Sequence, residues 1–285
     1  MNKIIQPYQI VDLPLERRWM PAFLELKGEK HCIYALMEVD VTLARQFIEH
    51  YKVQTGEQLS FTGYLIFCLA RAVAEDKTVQ AYRKGRKQLV IFDEVDVGFM
   101  IEMKKGEKQV LTGHVIRGAD HKSYWEINNE IRSVQSQQVP ASADMVSWIH
   151  HALLLPWPLS RLFNATFRMA VQRDPTIITS MSGTVGISSV GMFGKGHAGW
   201  GISTGSHVLD LIVGGTGRKL AEVEGRIETR QILSMTIVFD HDVIDGAPAT
   251  RFARRLVELI ESRSGLDEFQ PSADREAVPA AAGTD

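Results

Sequence analysis

The stretch that opens at Ser60 constrains the fold most. Phe61, Tyr64, Leu65, Cys68, Leu69, Ala72 and Val73 recur at helical spacing and form a wide apolar stripe that has to be buried. A second segment carries the other period. In Gln231–Asp240 the residues Leu233, Met235, Ile237 and Phe239 alternate, which puts them on one face of a strand. Between and around these two lie further segments of both kinds. Cys32–Val39 reads as a strand, followed by a helix over about Leu43–Tyr51. Gln88–Phe92 and Val95–Met103 are strand-like. Ser123-Tyr-Trp-Glu126 has the spacing of a capping box and starts a helix that ends before Pro140. Gly- and Ser-rich strand regions run over Gly183–Gly199 and Gly201–Gly217. A last helix spans about Ala247–Ser262, with Phe252, Leu256, Leu259 and Ile260 inward, an Arg254–Glu258 pair at i,i+4, and Gly265 as its stop. Strands alternating with helices predict an α/β fold built on a mixed sheet.

With 285 residues, 45% of them hydrophobic, the chain buries a sizeable core without disulfides or structural metals. Lys and Arg number 32 against 34 Asp and Glu, so no basic excess exists to neutralise a phosphate backbone, and nucleic-acid binding is not expected. Cys32 and Cys68 are the two cysteines and form no CxxC pair, which fits a reducing compartment. The start lacks the pattern of a signal peptide. Tyr64–Ala74 and Met145–Phe163 fall short of the roughly 20 apolar residues that a spanning helix needs. The expectation is a cytoplasmic protein with no transmembrane segment. A single domain over 1–263 is expected, then a disordered polar tail over 264–285. The stretch 141–179 stands apart: Trp148–Phe163 is rich in Leu, Trp and Pro, and Asn164–Gln172 looks helical. Two readings fit it, a surface helix pair packed on the core, or a lid, membrane contact or acyl-chain pocket.

Several familiar sites are excluded. Gly215-Thr-Gly217 lacks the third glycine of a dinucleotide fingerprint, Gly191–Lys195 lacks the spacing of a P-loop, and neither HExxH nor GxSxG occurs. His150 and His151 are adjacent and diverge on a helix, so they make a poor chelate, and no metal is expected. One segment remains, Phe239-Asp-His241-Asp-Val-Ile-Asp245-Gly246. If the strand persists, His241 continues its apolar face, and an imidazole in a dry cleft acts as a general base near neutral pH. Asp245 lies four residues on, across a tight turn that Gly246 permits. The plain alternative is a strand-end histidine followed by an Asp-Gly turn.

His241-Asp-Val-Ile-Asp245-Gly246-Ala247 resembles the His-x-x-x-Asp-Gly signature of the dihydrolipoyl acyltransferase catalytic domain of 2-oxo acid dehydrogenase complexes, which shares the chloramphenicol acetyltransferase fold. Gly183-Thr-Val-Gly-Ile-Ser188-Ser-Val-Gly191-Met-Phe-Gly194 resembles that family's Gly-Thr-Phe-Thr-Ile-Ser-Asn-Leu-Gly-Met-Phe-Gly segment. Val115-Ile-Arg-Gly-Ala-Asp120 and His31 through Thr42 resemble two more of its segments, in the same order over about residues 30–262. The resemblance implies a chloramphenicol acetyltransferase-like fold with a mixed central sheet flanked by helices. It implies His241 as the base that takes a proton from a thiol or hydroxyl, Ser188 as the donor to the tetrahedral oxyanion, and Asp245 as the holder of the active-site turn. It also implies a homotrimer with active sites between subunits, and acyl-coenzyme A as co-substrate without a metal. The acceptor is then a small molecule or a carrier-bound group.

The sequence departs from the family at several points. Asp242 stands where the family commonly has Arg, and Thr204-Gly-Ser206 stands near its Asn-Pro-Pro segment. Lys104–Glu107 replaces a Pro-Arg-Gly turn, and 141–179 is longer and more apolar than the usual linker. No lipoyl segment precedes the match and no apolar hook follows it, so the expectation is a free trimer with no lipoyl group on this chain, served by a separate lipoyl protein if it works within a complex. The alternative is a non-catalytic trimeric scaffold or regulatory homologue.

Overall fold

A computed structural model describes residues 9–12, 30–105, 108–136, 156, 158–189 and 197–266. The strands are β1 (Cys32–Asp40), β2 (Tyr82–Lys84), β3 (Gln88–Val90), β4 (Val97–Lys105), β5 (Lys108–Ile116), β6 (Val185–Ser189), β7 (Leu209–Val223) and β8 (Arg226–Asp240). The helices are α1 (Thr42–Thr55), α2 (Phe61–Glu75), α3 (Tyr124–Gln135), α4 (Leu159–Arg173), α5 (Thr176–Ser182) and α6 (Gly246–Glu261). Six strands form one sheet in the order β1-β8-β7-β6-β4-β5, with β6 parallel to both β4 and β7 and the other pairs antiparallel. This is the mixed sheet that the sequence predicts. β2 and β3 pair separately, so Gln88–Phe92 belongs to a small hairpin and not to the main sheet.

The faces of the sheet follow from strand parity. Phe99, Ile187, Leu211, Ile237 and Val39 point to one side and enter the hydrophobic core with α2, α3 and α6. α2 is the keystone of that side. Ser60 caps it, its Oγ accepting from Gly63 N at 3.0 Å, and Gly63 through Ala70 are buried. Burying Leu65, Ile66 and Leu69 stabilises by roughly 1.5–3 kcal/mol each. Tyr64 Oη donates to Leu259 O and Ile260 O at 3.2 and 2.9 Å, which ties α2 to α6.

The capping box at α3 is present in both directions: Ser123 Oγ accepts from Glu126 N at 3.3 Å, and Ser123 N donates to Glu126 Oε2 at 2.7 Å. Ser123→Ala is expected to cost about 1 kcal/mol in urea unfolding, and an unchanged midpoint would show that the box contributes nothing.

Two strands differ from the sequence reading. β7 and β8 are each 15 residues long and run well past the rest of the sheet as a two-stranded ribbon. Beyond α6, Leu266 is fully buried and Gly265, at φ +75°, sits against the Phe67 ring. The expected tail beyond residue 266 lies outside the described residues. So does the stretch 141–155. The helix after that stretch, α4, has no buried residue, and Leu159, Leu162 and Met169 are exposed, so α4 is not packed into the core.

Candidate active site

Among the described residues, the second face of the sheet carries no core helix. Its residues read across the strands as rows. One row is Leu36 on β1, Thr236 on β8, Ile212 on β7 and Ser188 on β6; the next is Tyr34, Val238, Asp210 and Gly186. Tyr34 and Leu36 are exposed. Part of this face is covered by the segment leading into β7, where Trp200 Nε1 donates to Met37 O at 3.2 Å. Ser188 is half-buried, and its hydroxyl has no hydrogen bond among the described residues, so it is free to donate. In the same row the Thr236 hydroxyl is buried and unpartnered.

His241 follows the last residue of β8. The strand ends at Asp240, the partner of Cys32, and a turn begins. His241 thus stands just past the strand end, and within one chain its side chain is 45% exposed. His241 N donates to His31 O at 2.7 Å. Its Nδ1 lies 3.8 Å from Asp245 Oδ1, an ionic contact rather than a hydrogen bond.

Asp245 stands at the N-cap position of α6. Its side chain is 87% exposed and does not cap α6. The turn is held by Asp240, whose main-chain oxygen accepts from Val243 N and Ile244 N, both at 3.0 Å, while its Oδ1 accepts from Asp242 N at 3.1 Å. Gly246 is simply the first residue of α6. Asp242, the departure from the family pattern, accepts from Arg83 at 2.6 Å and lies 2.9 Å from His31 Nδ1. The His31 hydrogen bond, then that of Arg83, holds its carboxyl below the usual range.

Within one chain Ser188 and His241 do not meet. Ser188 is level with Thr236, five residues before His241 (241 − 236) and two strands away. That separation is about 17 Å along the strand and about 10 Å across it, or about 20 Å in all.

Sequence reasoning missed the most polar buried cluster. His207 and Asp210 are buried, with His207 Nδ1 2.7 Å from Asp210 Oδ1 and Nε2 2.9 Å from Ser182 O. An acceptor at each ring nitrogen fits the doubly protonated ring. Asp210 also accepts from His207 N at 2.8 Å, from Ser206 Oγ at 3.0 Å and from Ser206 N. Burial pushes its carboxyl up, but the His207 charge and these hydrogen bonds win and hold it well below the carboxylate range. Lys30 lies nearby with its Nζ buried and without a hydrogen bond; burial pushes that amine down against the pull of Asp210 and Asp240. Space for the cluster comes from two glycines. A Cβ on Gly186 would overlap Asp210 and His207, and one on Gly98 would overlap the Ser182 carbonyl. The signal was present in the sequence, since Asp210 interrupts the apolar run Val208–Val213 and a buried carboxylate needs a partner.

The comparisons with known proteins converge. The family model described as 2-oxoacid dehydrogenases acyltransferase (catalytic domain) matches residues 22–141 and 164–266, leaving out most of the apolar stretch 141–179. The succinyltransferase component of the mitochondrial 2-oxoglutarate dehydrogenase complex of Saccharomyces cerevisiae is 25% identical over 230 residues, which are 79% of this chain and 41% of that protein. The corresponding Rickettsia bellii component is 21% identical over 79% of this chain and 47% of its own length. The chain thus spans less than half of these curated relatives. A solved dihydrolipoamide acetyltransferase of Azotobacter vinelandii, studied for the role of a serine, a histidine and an asparagine in its catalytic mechanism, superposes with a TM-score of 0.64. Identity is 21%, and the match covers 92% of this chain and 98% of that one. The truncated catalytic core of a 2-oxoacid dehydrogenase multienzyme complex from Thermoplasma acidophilum gives 0.61 at 21% identity, over 90% of this chain and 100% of that one.

Proposed function

The chain belongs to the 2-oxoacid dehydrogenase acyltransferase catalytic-domain family, and from that membership we propose that it moves an acyl group between the thioester of coenzyme A and a thiol, hydroxyl or amine acceptor, with His241 as general base. The observation that carries this reading is the placement of its two key groups. The half-exposed His241 and the uncommitted Ser188 hydroxyl lie about 20 Å apart in one chain, on a sheet whose second face has no core helix among the described residues. A site that needs both is completed by a second copy, as in the homotrimer that the family resemblance implies. His241 takes the proton of the acceptor, and the acceptor attacks the thioester carbon. Ser188 of the neighbouring subunit donates to the oxyanion. The tetrahedral species collapses, the carbon–sulfur bond breaks, and the proton on His241 passes to the departing thiolate. Asp245 Oδ1 lies 3.8 Å from His241 Nδ1, beside the ring that carries the proton.

The scaffold reading rests on Asp242. Its carboxylate is engaged by Arg83 and His31 and leaves the His241 ring free, so the departure does not itself remove the base.

The test is thiol release from a panel of acyl-coenzyme A donors, short to long, with dihydrolipoamide as acceptor. Transfer is expected, and Ser188→Ala is expected to lower it by roughly 10²–10³ with donor binding retained. Donor binding without transfer to dihydrolipoamide or to hydroxyl and amine acceptors would overturn the catalytic reading in favour of the scaffold.

A further inference from the structure

At the far end of the sheet from His241, α1 and the base of the β7–β8 ribbon enclose a groove of about 600 Å³. Its lining is Arg45 and Glu49 from α1, Thr216, Gly217 and Arg218 from β7, and Gln231 from β8. Strand register puts Thr216, Arg218 and Gln231 on the helix side, since Thr216 pairs with the core residue Leu233 and Arg218 with Gln231. Two basic residues on the opposite side of the same ribbon are paired: Arg230 with Asp40 at 2.6 Å, and Lys219 with Glu38 at 2.5 Å. The two that face the groove are not. Neither the Arg45 nor the Arg218 side chain has an ion pair or hydrogen bond among the described residues.

Arg45 is the more telling of the two. Its guanidinium stacks on the Phe61 ring at 3.5 Å, which fixes its plane, and its Nε is removed from water with no acceptor. A charged donor held dry and unpaired is costly. Loss of hydration also lowers the guanidinium's hold on its proton. A chain gains nothing from that arrangement unless something outside it supplies the acceptor. Glu49 is the one acidic group on the lining. It lies a turn beyond Arg45 without pairing to it, so the groove keeps a net positive charge.

We propose that this groove is a binding site for a small oxyanion ligand, a phosphate ester or a carboxylate, held by Arg45 and Arg218. Two guanidiniums present planar forks of N–H donors that match the oxygens of either group. Arg45 sits on its aromatic platform, and the exposed Arg218 reaches the ligand from the ribbon. Gln231 and the Gly217 main chain add neutral polar contacts. The proposal is independent of the acyl-transfer reading.

The experiment is calorimetric titration of the full chain at low ionic strength with two probes, pyrophosphate and citrate. At least one is expected to bind with a dissociation constant below about 1 mM. Preference for pyrophosphate assigns a phosphate ester, and preference for citrate a carboxylate. Arg218→Gln, an exposed substitution that leaves the fold alone, and Arg45→Met, which keeps a stem over Phe61, should each weaken binding at least tenfold. Glu49→Gln should tighten it. Without ligand, Arg45→Met should melt no lower than the natural chain, because it removes an unpaired buried charge. Failure of both probes to bind, or binding that survives both arginine substitutions, overturns the proposal.

Discussion

His241→Ala is expected to lower acyl transfer by roughly 10²–10⁴-fold, the usual contribution of a positioned base, with little change in stability. The stability expectation rests on exposure. The side chain is nearly half open to solvent and makes no hydrogen bond, so its loss leaves no cavity and no orphaned partner. The main-chain bond from residue 241 to His31 O survives the substitution. The sharper expectation concerns mixtures. Ser188→Ala and His241→Ala chains are each nearly inactive alone. Unfolded and refolded together, they should regain activity, because some interfaces then pair an intact Ser188 with an intact His241. Mixtures that form hybrid oligomers yet stay inactive would rule out a site shared between copies, and undiminished transfer by His241→Ala alone would remove the base.

The second large effect is on stability. Asp210→Ala leaves the His207 ring facing Ser182 O with no counter-charge, in a site closed to water. Breaking one side of such a buried pair costs about 3–5 kcal/mol. The pH dependence is set by the depressed Asp210 pKa. A carboxyl that is more acidic folded than unfolded contributes its stabilisation above the unfolded value, near about 4, and loses it as pH falls through the folded value. The contribution of Asp210 should therefore be constant from neutrality to about pH 5 and decline below about 4. Urea unfolding from pH 3 to 7 measures it, with Asp210→Asn as the milder variant. Equal acid sensitivity in Asp210→Asn and the natural chain would show that the pair is not the source.

Much of this was legible in the residues. The stripe after Ser60, the alternation up to Phe239 and the Ser123 capping box each became the predicted element, because local period and tertiary burial agree there. β5 was not legible, since Lys108, Gln109 and Gly113 break the alternation of an edge strand whose register is set by β4. At the site the chemistry of His241 and Ser188 was readable, but their separation was not. It depends on strand order and register, which no single segment encodes. Asp240 illustrates the same limit: its hydrogen bonds to the main chain of Asp242, Val243 and Ile244 hold the turn after β8, and no spacing in the sequence marks it. The buried His207–Asp210 pair was visible only as an interruption in an apolar run.

The strand order has a consequence for how the molecule is made. Among the described residues β1 is an edge strand whose one partner in the sheet is β8, the last described strand. Asp40 pairs with Ile232, synthesised 192 residues later (232 − 40). At ribosomal rates of about 5–20 residues per second, β1 waits roughly 10–40 s for its partner. During that time Ile33, Ala35, Met37 and Val39 have no sheet to join, and both edges of the strand are open. The nascent chain must therefore shelter its first strand, by helix contacts or by chaperones, until the final hairpin emerges and closes the sheet in a late, non-local step.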